Sequence, residues 1–90
     1  TDPRFRAVWL EALFPAGSGG AGLRDAAIDL ADRAERAVAD GATIVIISDR
    51  EVDADRAPIP MVLAIGAVHH RLIDAGARLD ASIIAVSMSA

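Results

Sequence analysis

The sequence predicts an α/β fold, a three-stranded parallel sheet built as one β-α-β-α-β unit. Three apolar segments with strand character alternate with two segments of helical periodicity. That alternation is typical of parallel strands joined by right-handed helical crossovers. The chain has 90 residues, so we treat residues 1–90 as a single small domain or fragment.

The first half of the chain predicts a strand, a loop and a helix. Residues 7–14 (AVWLEALF) have strand character, and a glycine-rich loop follows at residues 16–22. Gly41 stands where a glycine commonly terminates a helix. Between the loop and Gly41, apolar residues recur in steps of three and four, which indicates one buried helical stripe. The stripe comprises Leu23, Ala27, Leu30, Ala34 and Ala37.

The middle of the chain predicts a second strand. Residues 43–47 (TIVII) form a continuous β-branched run, which is typical of a parallel strand buried on both faces. Residues 48–57 (SDREVDADRA) predict a charged loop.

The last third predicts a helix and a strand. The helix should start at Pro58 and Pro60 and run to about residue 75, and residues 79–86 should form the third strand. Residues 61–68 contain no polar side chain, a pattern typical of a helix that is covered on several sides. One sheet face can cover only part of such a helix, so we expect an apolar patch to stay exposed in this piece. Gly66 inside the helix predicts close packing of another element, because an interior glycine costs about 1 kcal/mol relative to alanine.

Composition excludes several classes of function. The chain has no Cys, which removes disulfides and thiolate metal sites, and its net charge of −4 argues against a nucleic-acid surface. No apolar run approaches the roughly 18 residues of a membrane span. All nine basic residues are Arg, a bias that hints at a GC-rich bacterial genome. We therefore expect a bacterial, cytoplasmic protein that binds neither nucleic acid nor membranes.

A glycine motif offers one alternative function. Gly17, Gly19 and Gly22 match G-x-G-x-x-G between a strand and a helix, and Asp49 follows the second predicted strand. Together they would suit a small dinucleotide-binding module. However, Pro15 and an alanine separate the strand from the first glycine, and the acidic residue lies farther along than the usual ~20 residues.

No catalytic or metal-binding residue stands out. Asp49, Glu51 and Asp53 imitate the start of an EF-hand, but alanine replaces its glycine and Pro60 its final glutamate. His69 and His70 are adjacent on a helix, so they point about 100° apart and cannot chelate one ion together. We expect one of them to be partly buried and the other to face a neighbouring element.

Four segments occur in order and at matching spacing: DGATIVIISDR (40–50), ADRAPIP (54–60), AVHH (67–70) and GAR (76–78). Together they resemble the central domain of the glutamate synthase large subunit. The resemblance covers roughly residues 8–85. Two departures are Arg71, where the family usually carries a third His, and the terminal VSMSA, where the family continues with an acidic turn and more sheet.

This resemblance implies a structural role. Enzymes of the family are oxidoreductases that make glutamate from glutamine and 2-oxoglutarate. An amidotransferase domain releases ammonia, and a barrel with FMN and an iron–sulfur cluster uses it. The central domain resembles that βα-barrel in topology, carries no cofactor, and couples the two domains beside the ammonia passage. No catalytic residue, cofactor ligand or metal ligand is carried over to this chain.

The resemblance therefore predicts contacts rather than chemistry. The candidates for contact with other domains of the parent enzyme are Asp49, Arg50, His69 and His70. The apolar second helix and two open sheet edges predict that the isolated chain forms a homo-oligomer, which leaves a stand-alone oligomerisation module as a further alternative.

Overall fold

The computed structural model describes residues 6–50, 53–76 and 81–86. It confirms the predicted α/β class and the parallel β-α-β-α-β unit, and it adds two short strands. The elements in chain order are β1 (Ala7–Glu11), β2 (Leu13–Pro15), α1 (Gly19–Ala39), β3 (Ile44–Ser48), β4 (Arg56–Pro58), α2 (Met61–Asp74) and β5 (Ser82–Val86).

The main sheet has the order β1-β3-β5, with all neighbours parallel. The register places Leu10 beside Ile47, in a row that faces the helices. The helices α1 and α2 contact each other, and two right-handed crossovers in one direction put both on the same face. The core lies between that face and the helices, where Leu30, Ile47 and Val68 are fully buried.

The opposite face of the sheet is apolar and bare within the described residues. Trp9, Ile46 and Ile84 form one row across the three strands. Trp9 is 56% exposed and Ile84 45% exposed, while Ile46 on the central strand is half-buried. The prediction that the second strand is buried on both faces is therefore wrong, because the described part of the chain provides no second layer of helices over this face.

A small antiparallel pair, β2 with β4, was not predicted. The chain leaves the main sheet at Ala12, whose N–H donates to Ser48 O at 2.8 Å and whose carbonyl accepts from Ile59 N at 2.8 Å. The predicted single strand over residues 7–14 is thus two strands in two sheets. The predicted charged loop 48–57 likewise ends in strand β4, which also contains Pro58.

The helix boundaries differ from the prediction at their amino ends. α1 begins at Gly19, inside the predicted glycine-rich loop, so two of the motif glycines are helical. α2 begins at Met61 after Pro60, and Pro58 lies outside it. The first residues of the predicted third strand, 79 and 80, fall outside the described residues.

Within the described residues the second helix is covered on one side, which leaves the expected apolar patch exposed. Ala64, Val68 and Leu72 form its buried stripe, whereas Val62 is 87% exposed. Gly66 has open space where a side chain would begin, so the predicted close packing there is absent among the described residues. Among the helices of the described residues, none has both the length and the apolar character needed to cross a membrane.

Candidate interdomain surfaces

The carboxyl ends of the three parallel strands meet at one edge of the sheet. Asp49 follows β3 and donates its backbone N–H to Val86 O on β5 at 3.3 Å. The Arg50 N–H donates to Ser48 Oγ at 3.1 Å, which closes a tight turn. Asp49 is only 4% exposed, whereas Arg50 is exposed. Of this predicted pair, Arg50 alone has a side chain accessible to another domain.

A shallow cleft of about 290 Å³ opens at this edge. Trp9 and Leu10 supply its apolar wall, and Glu11, Ser48 and Arg50 supply its polar side. The cleft is continuous with the bare face of the sheet, because Trp9 belongs to both. A neighbouring domain that covers the bare face would therefore also reach Arg50.

Arg56 fastens the β2–β4 pair to the main sheet. Its guanidinium contacts Glu11 Oε2 at 3.2 Å and Asp53 Oδ2 at 3.1 Å. Asp53 Oδ1 also accepts the backbone N–H groups of Asp55 and Arg56, both at 2.9 Å. The Arg56 hydrogen bond, with these N–H donors, holds the pKa of Asp53 below its ordinary value. The acidic loop thus binds an arginine of its own chain.

His69 and His70 lie on separate surfaces. His69 borders an apolar groove between α2 and β5, with Ile65 and Ile83. His70 borders two other grooves on the outer side of α2. Both histidines are exposed, so the prediction that one is partly buried is wrong. They are available for contact with two different neighbours.

The outer surface of the helix pair carries a feature that the sequence did not predict. An apolar groove of about 460 Å³ runs between α1 and α2. At one end of it Arg71 on α2 donates hydrogen bonds to Asp32 and Glu35 on α1. The Arg71 hydrogen bond lowers the pKa of Asp32, and the Asp32 carboxylate raises the pKa of Arg71. The sequence drew attention to Arg71 only through the resemblance, which implies a third His at that position.

Local structure explains why glycine stands at each of the three motif positions. Gly17 and Gly19 have φ of 84° and 71°, a region that residues with a side chain rarely adopt. Gly22 lies against Ser18, and a methyl group there would be closer to that side chain than van der Waals contact allows. Ser18 is held in place because its Oγ donates to Pro15 O at 2.6 Å. These three glycines build the turn into α1.

The iron–sulfur cluster that the resemblance assigns to the parent enzymes does not fit this chain. An iron–sulfur cluster needs thiolate ligands, and the chain has no Cys. Among the described residues, no three His, Asp or Glu side chains lie close enough together to hold a metal ion.

Comparison with known proteins identifies the family. Ferredoxin-dependent glutamate synthase 2, chloroplastic, of Arabidopsis thaliana is 39% identical over 87 residues, 93% of this chain and 5% of the relative. The glutamate synthase [NADPH] large chain of Azospirillum brasilense is 42% identical over 74 residues, 82% of this chain and 5% of the relative. The ferredoxin-dependent glutamate synthase of Pyropia yezoensis is 33% identical over 85 residues, 92% of this chain and 6% of the relative.

The chain thus corresponds to about a twentieth of the length of these relatives. Residues 1–90 match the family described as glutamate synthase central domain. The resemblance inferred from the sequence motifs is confirmed, and the chain belongs to the glutamate synthase central domain family.

Proposed function

We propose that this chain is a non-catalytic, structural piece of a glutamate synthase. The parent enzyme would make glutamate from glutamine and 2-oxoglutarate, with FMN and an iron–sulfur cluster held by other domains. This piece would couple the amidotransferase and flavin synthase domains beside the passage for ammonia. The proposal rests on family membership and on surfaces that suit burial rather than catalysis.

The observation that carries the proposal is the bare apolar face of the sheet. Trp9, Ile46 and Ile84 lie in one row and stay exposed or half-buried. Contiguous apolar surface of this kind marks a contact site. The relatives are about twenty times longer than this chain, so they contain ample polypeptide to cover it.

The four candidate contact residues have different parts in this proposal. Asp49 is buried, and we assign it to shaping the turn at the carboxyl edge. Arg50 is exposed beside the bare face and would pair with an acidic group of the domain that covers that face. His69 and His70 would contact neighbours on the helix side.

Assays of the natural polypeptide that carries this chain test the proposal. Trp9→Glu places a charge on the bare face, and Trp9→Phe is the matched control that keeps it apolar. Three activities are measured: release of ammonia from glutamine, glutamate synthesis from added ammonia, and glutamate synthesis from glutamine. We expect Trp9→Glu to retain the first two and to lose most of the third, because only transfer between the sites is disturbed.

Two results would overturn the proposal. Retention of full glutamine-dependent synthesis in Trp9→Glu would show that the bare face has no coupling role. Loss of a single half-reaction, in a variant whose circular dichroism is unchanged, would place this face in a catalytic site instead.

The dinucleotide-binding alternative gains no support from the glycine geometry, since backbone conformation and Ser18 account for all three glycines. Titration of the chain with NADPH or FMN is the direct test, and binding near micromolar would favour that alternative. An oligomerisation module likewise stays a prediction. So do a bacterial origin and a cytoplasmic location, since relatives include chloroplastic enzymes.

A further inference from the structure

We propose that the groove between α1 and α2 is the docking site of an amphipathic α-helix about three turns long. This helix would come from another segment of the same natural polypeptide and would present small apolar side chains. The proposal deepens the structural role proposed above and rests on it in one respect, the origin of the helix. It concerns the side of the molecule opposite the bare sheet face.

The shape of the groove fits a helix. Its lining residues on α1 span Gly20 to Ala31, and those on α2 span Leu63 to Asp74. Each span covers eleven residue steps, which is about 16 Å or three helical turns. The floor is made of small residues and the walls of larger ones. The apolar lining residues are Leu23, Ala27, Ile28, Ala31, Leu63 and Ala67.

Gly66 is a second observation that points to a partner. It lies within α2, where glycine costs about 1 kcal/mol relative to alanine, yet nothing in the described residues approaches it. It lines an adjoining apolar groove of about 640 Å³ together with Val62 and Leu63. Val62 is 87% exposed. A helix seated here could approach the backbone at Gly66 closely, which explains a glycine at this position.

The charges at the two ends of the groove fix the direction of the helix. α1 and α2 run parallel, because each follows a strand of the same parallel sheet. Toward their carboxyl ends the charged lining residues are Arg71 and Asp74. Asp32 and Glu35, the ion-pair partners of Arg71, give that end a negative balance. Near the amino end the charged lining residue is Arg24. The partner's amino terminus would therefore lie at the acidic end and its carboxyl terminus beside Arg24, antiparallel to α1 and α2.

A second copy of this chain fits the groove less well than a single helix. A symmetric dimer through this surface would set one groove against another. The alanine floor, where Ala27 and Ala31 are already almost fully buried, would then face an empty channel. A single helix places a ridge of side chains into the groove instead, as helices pack in protein cores.

Photo-cross-linking in the purified natural polypeptide tests the proposal. p-Benzoylphenylalanine replaces Leu63, a wall of the groove that is 43% exposed. The matched control replaces Ile73, which is on the same helix, is 41% exposed and does not line the groove. We expect the Leu63 position to cross-link within one polypeptide to a segment with helical apolar periodicity. Mass spectrometry identifies that segment.

Charge reversal tests the direction of the helix. Arg24→Glu and Asp74→Arg should each lower the cross-linking yield about two- to fivefold, the range expected when a charge at a helix end changes from favourable to unfavourable. Asp25→Arg, an exposed position on α1 that does not line the groove, should leave the yield unchanged.

Several results would overturn this proposal. One is the absence of a cross-link at Leu63, and another is an equal yield at Leu63 and Ile73. The others are a cross-linked segment without helical periodicity and cross-links between isotopically distinct copies. The readout does not depend on catalysis. A failure of the coupling role, seen with Trp9→Glu, is thus distinguishable from a failure of helix docking.

Discussion

Arg71 on α2 donates a hydrogen bond to Asp32 on α1, and the same guanidinium contacts Glu35 Oε1 at 3.4 Å. The two helices are far apart in the sequence. This contact joins them near their carboxyl ends. All three side chains are partly exposed, which limits what the pair contributes at neutral pH. It also closes one end of the interhelical groove.

Acid should weaken the folded state through this pair and through Asp53. Arg71 lowers the pKa of Asp32, and Arg56 lowers that of Asp53, in each case below an ordinary value of 3.8. A carboxyl group with a lowered folded pKa stabilises the protein above its unfolded pKa. That stabilisation is lost as pH falls through the folded pKa. We expect the free energy of unfolding, measured in urea, to decrease below about pH 4.

The Arg71→Gln variant should show a weaker decrease, because it removes the cause of the Asp32 shift. Arg24→Gln, which removes an exposed arginine of α1, serves as the control. Identical acid profiles for Arg71→Gln and the parent chain would exclude a role for this ion pair in acid stability.

Gly22 is the motif glycine whose substitution should be most informative. Gly22→Ala sets a methyl group against Ser18, and we expect a loss of about 1–3 kcal/mol, the usual cost of overpacking. Gly20→Ala is the matched control in the same turn. Space is open there, so helix propensity should make this variant up to about 1 kcal/mol more stable. Thermal and urea unfolding measure both.

Removal of the Ser18 side chain should rescue the Gly22 variant. Ser18→Gly with Gly22→Ala should be more stable than the sum of the single changes, which is the mark of two residues in contact. Additive effects would mean that contact with Ser18 does not explain the glycine at position 22. That result would favour the dinucleotide-binding alternative.

The elements that the sequence predicted well are those with a strong local pattern. The β-branched run ending at Ile47 became the central strand, and the apolar stripe through Leu30 and Ala34 became the buried side of α1. The parallel order followed from chain connectivity. These features depend on periodicity and on right-handed crossovers, both of which a sequence displays directly.

The features that were missed depend on pairing between distant residues. β2 and β4 have three residues each, which is too short to show an alternating pattern. They form by antiparallel pairing with each other, in which Phe14 lies opposite Ala57. The exposed side of α2 agrees with the expectation that one sheet face covers only part of this apolar helix. An apolar helix indicates that something covers it, but the sequence does not say whether the cover lies within these residues. Of the four predicted contact residues, Arg50, His69 and His70 lie on the surface, whereas Asp49 is buried. The partners of the exposed three stay a prediction.

The two faces of β3 should respond differently to truncation. Ile47 is fully buried under the helices, so Ile47→Ala should cost about 2–5 kcal/mol in the isolated chain. Ile46 faces the bare side and is half-buried, so Ile46→Ala should cost clearly less there. In the natural polypeptide the two costs should converge, because the proposed neighbouring domain buries Ile46. Equal costs in the isolated chain would show that the bare face is already covered.

The isolated chain should not stay a monomer, because its apolar faces are exposed to water. The row of Trp9, Ile46 and Ile84 is continuous across the sheet, and Val62 is almost fully exposed on the opposite side. Within the described residues β1 and β5 each have one edge without a paired strand, and such edges template further pairing. Burial of apolar area returns about 25 cal/mol per Å², before the cost of association is subtracted.

Light scattering over a concentration series measures this association. We expect the average mass to rise with concentration above the 9.3 kDa of one chain. Replacing Trp9 and Ile84 together by Ser should lower the association most, since both lie on the bare face. Val62→Ser, on the helix side, should lower the association less, because we expect the sheet face to be the stronger contact. A monodisperse 9.3 kDa species at high concentration would mean that the exposed apolar surface is too small to drive association, and would remove the homo-oligomer prediction.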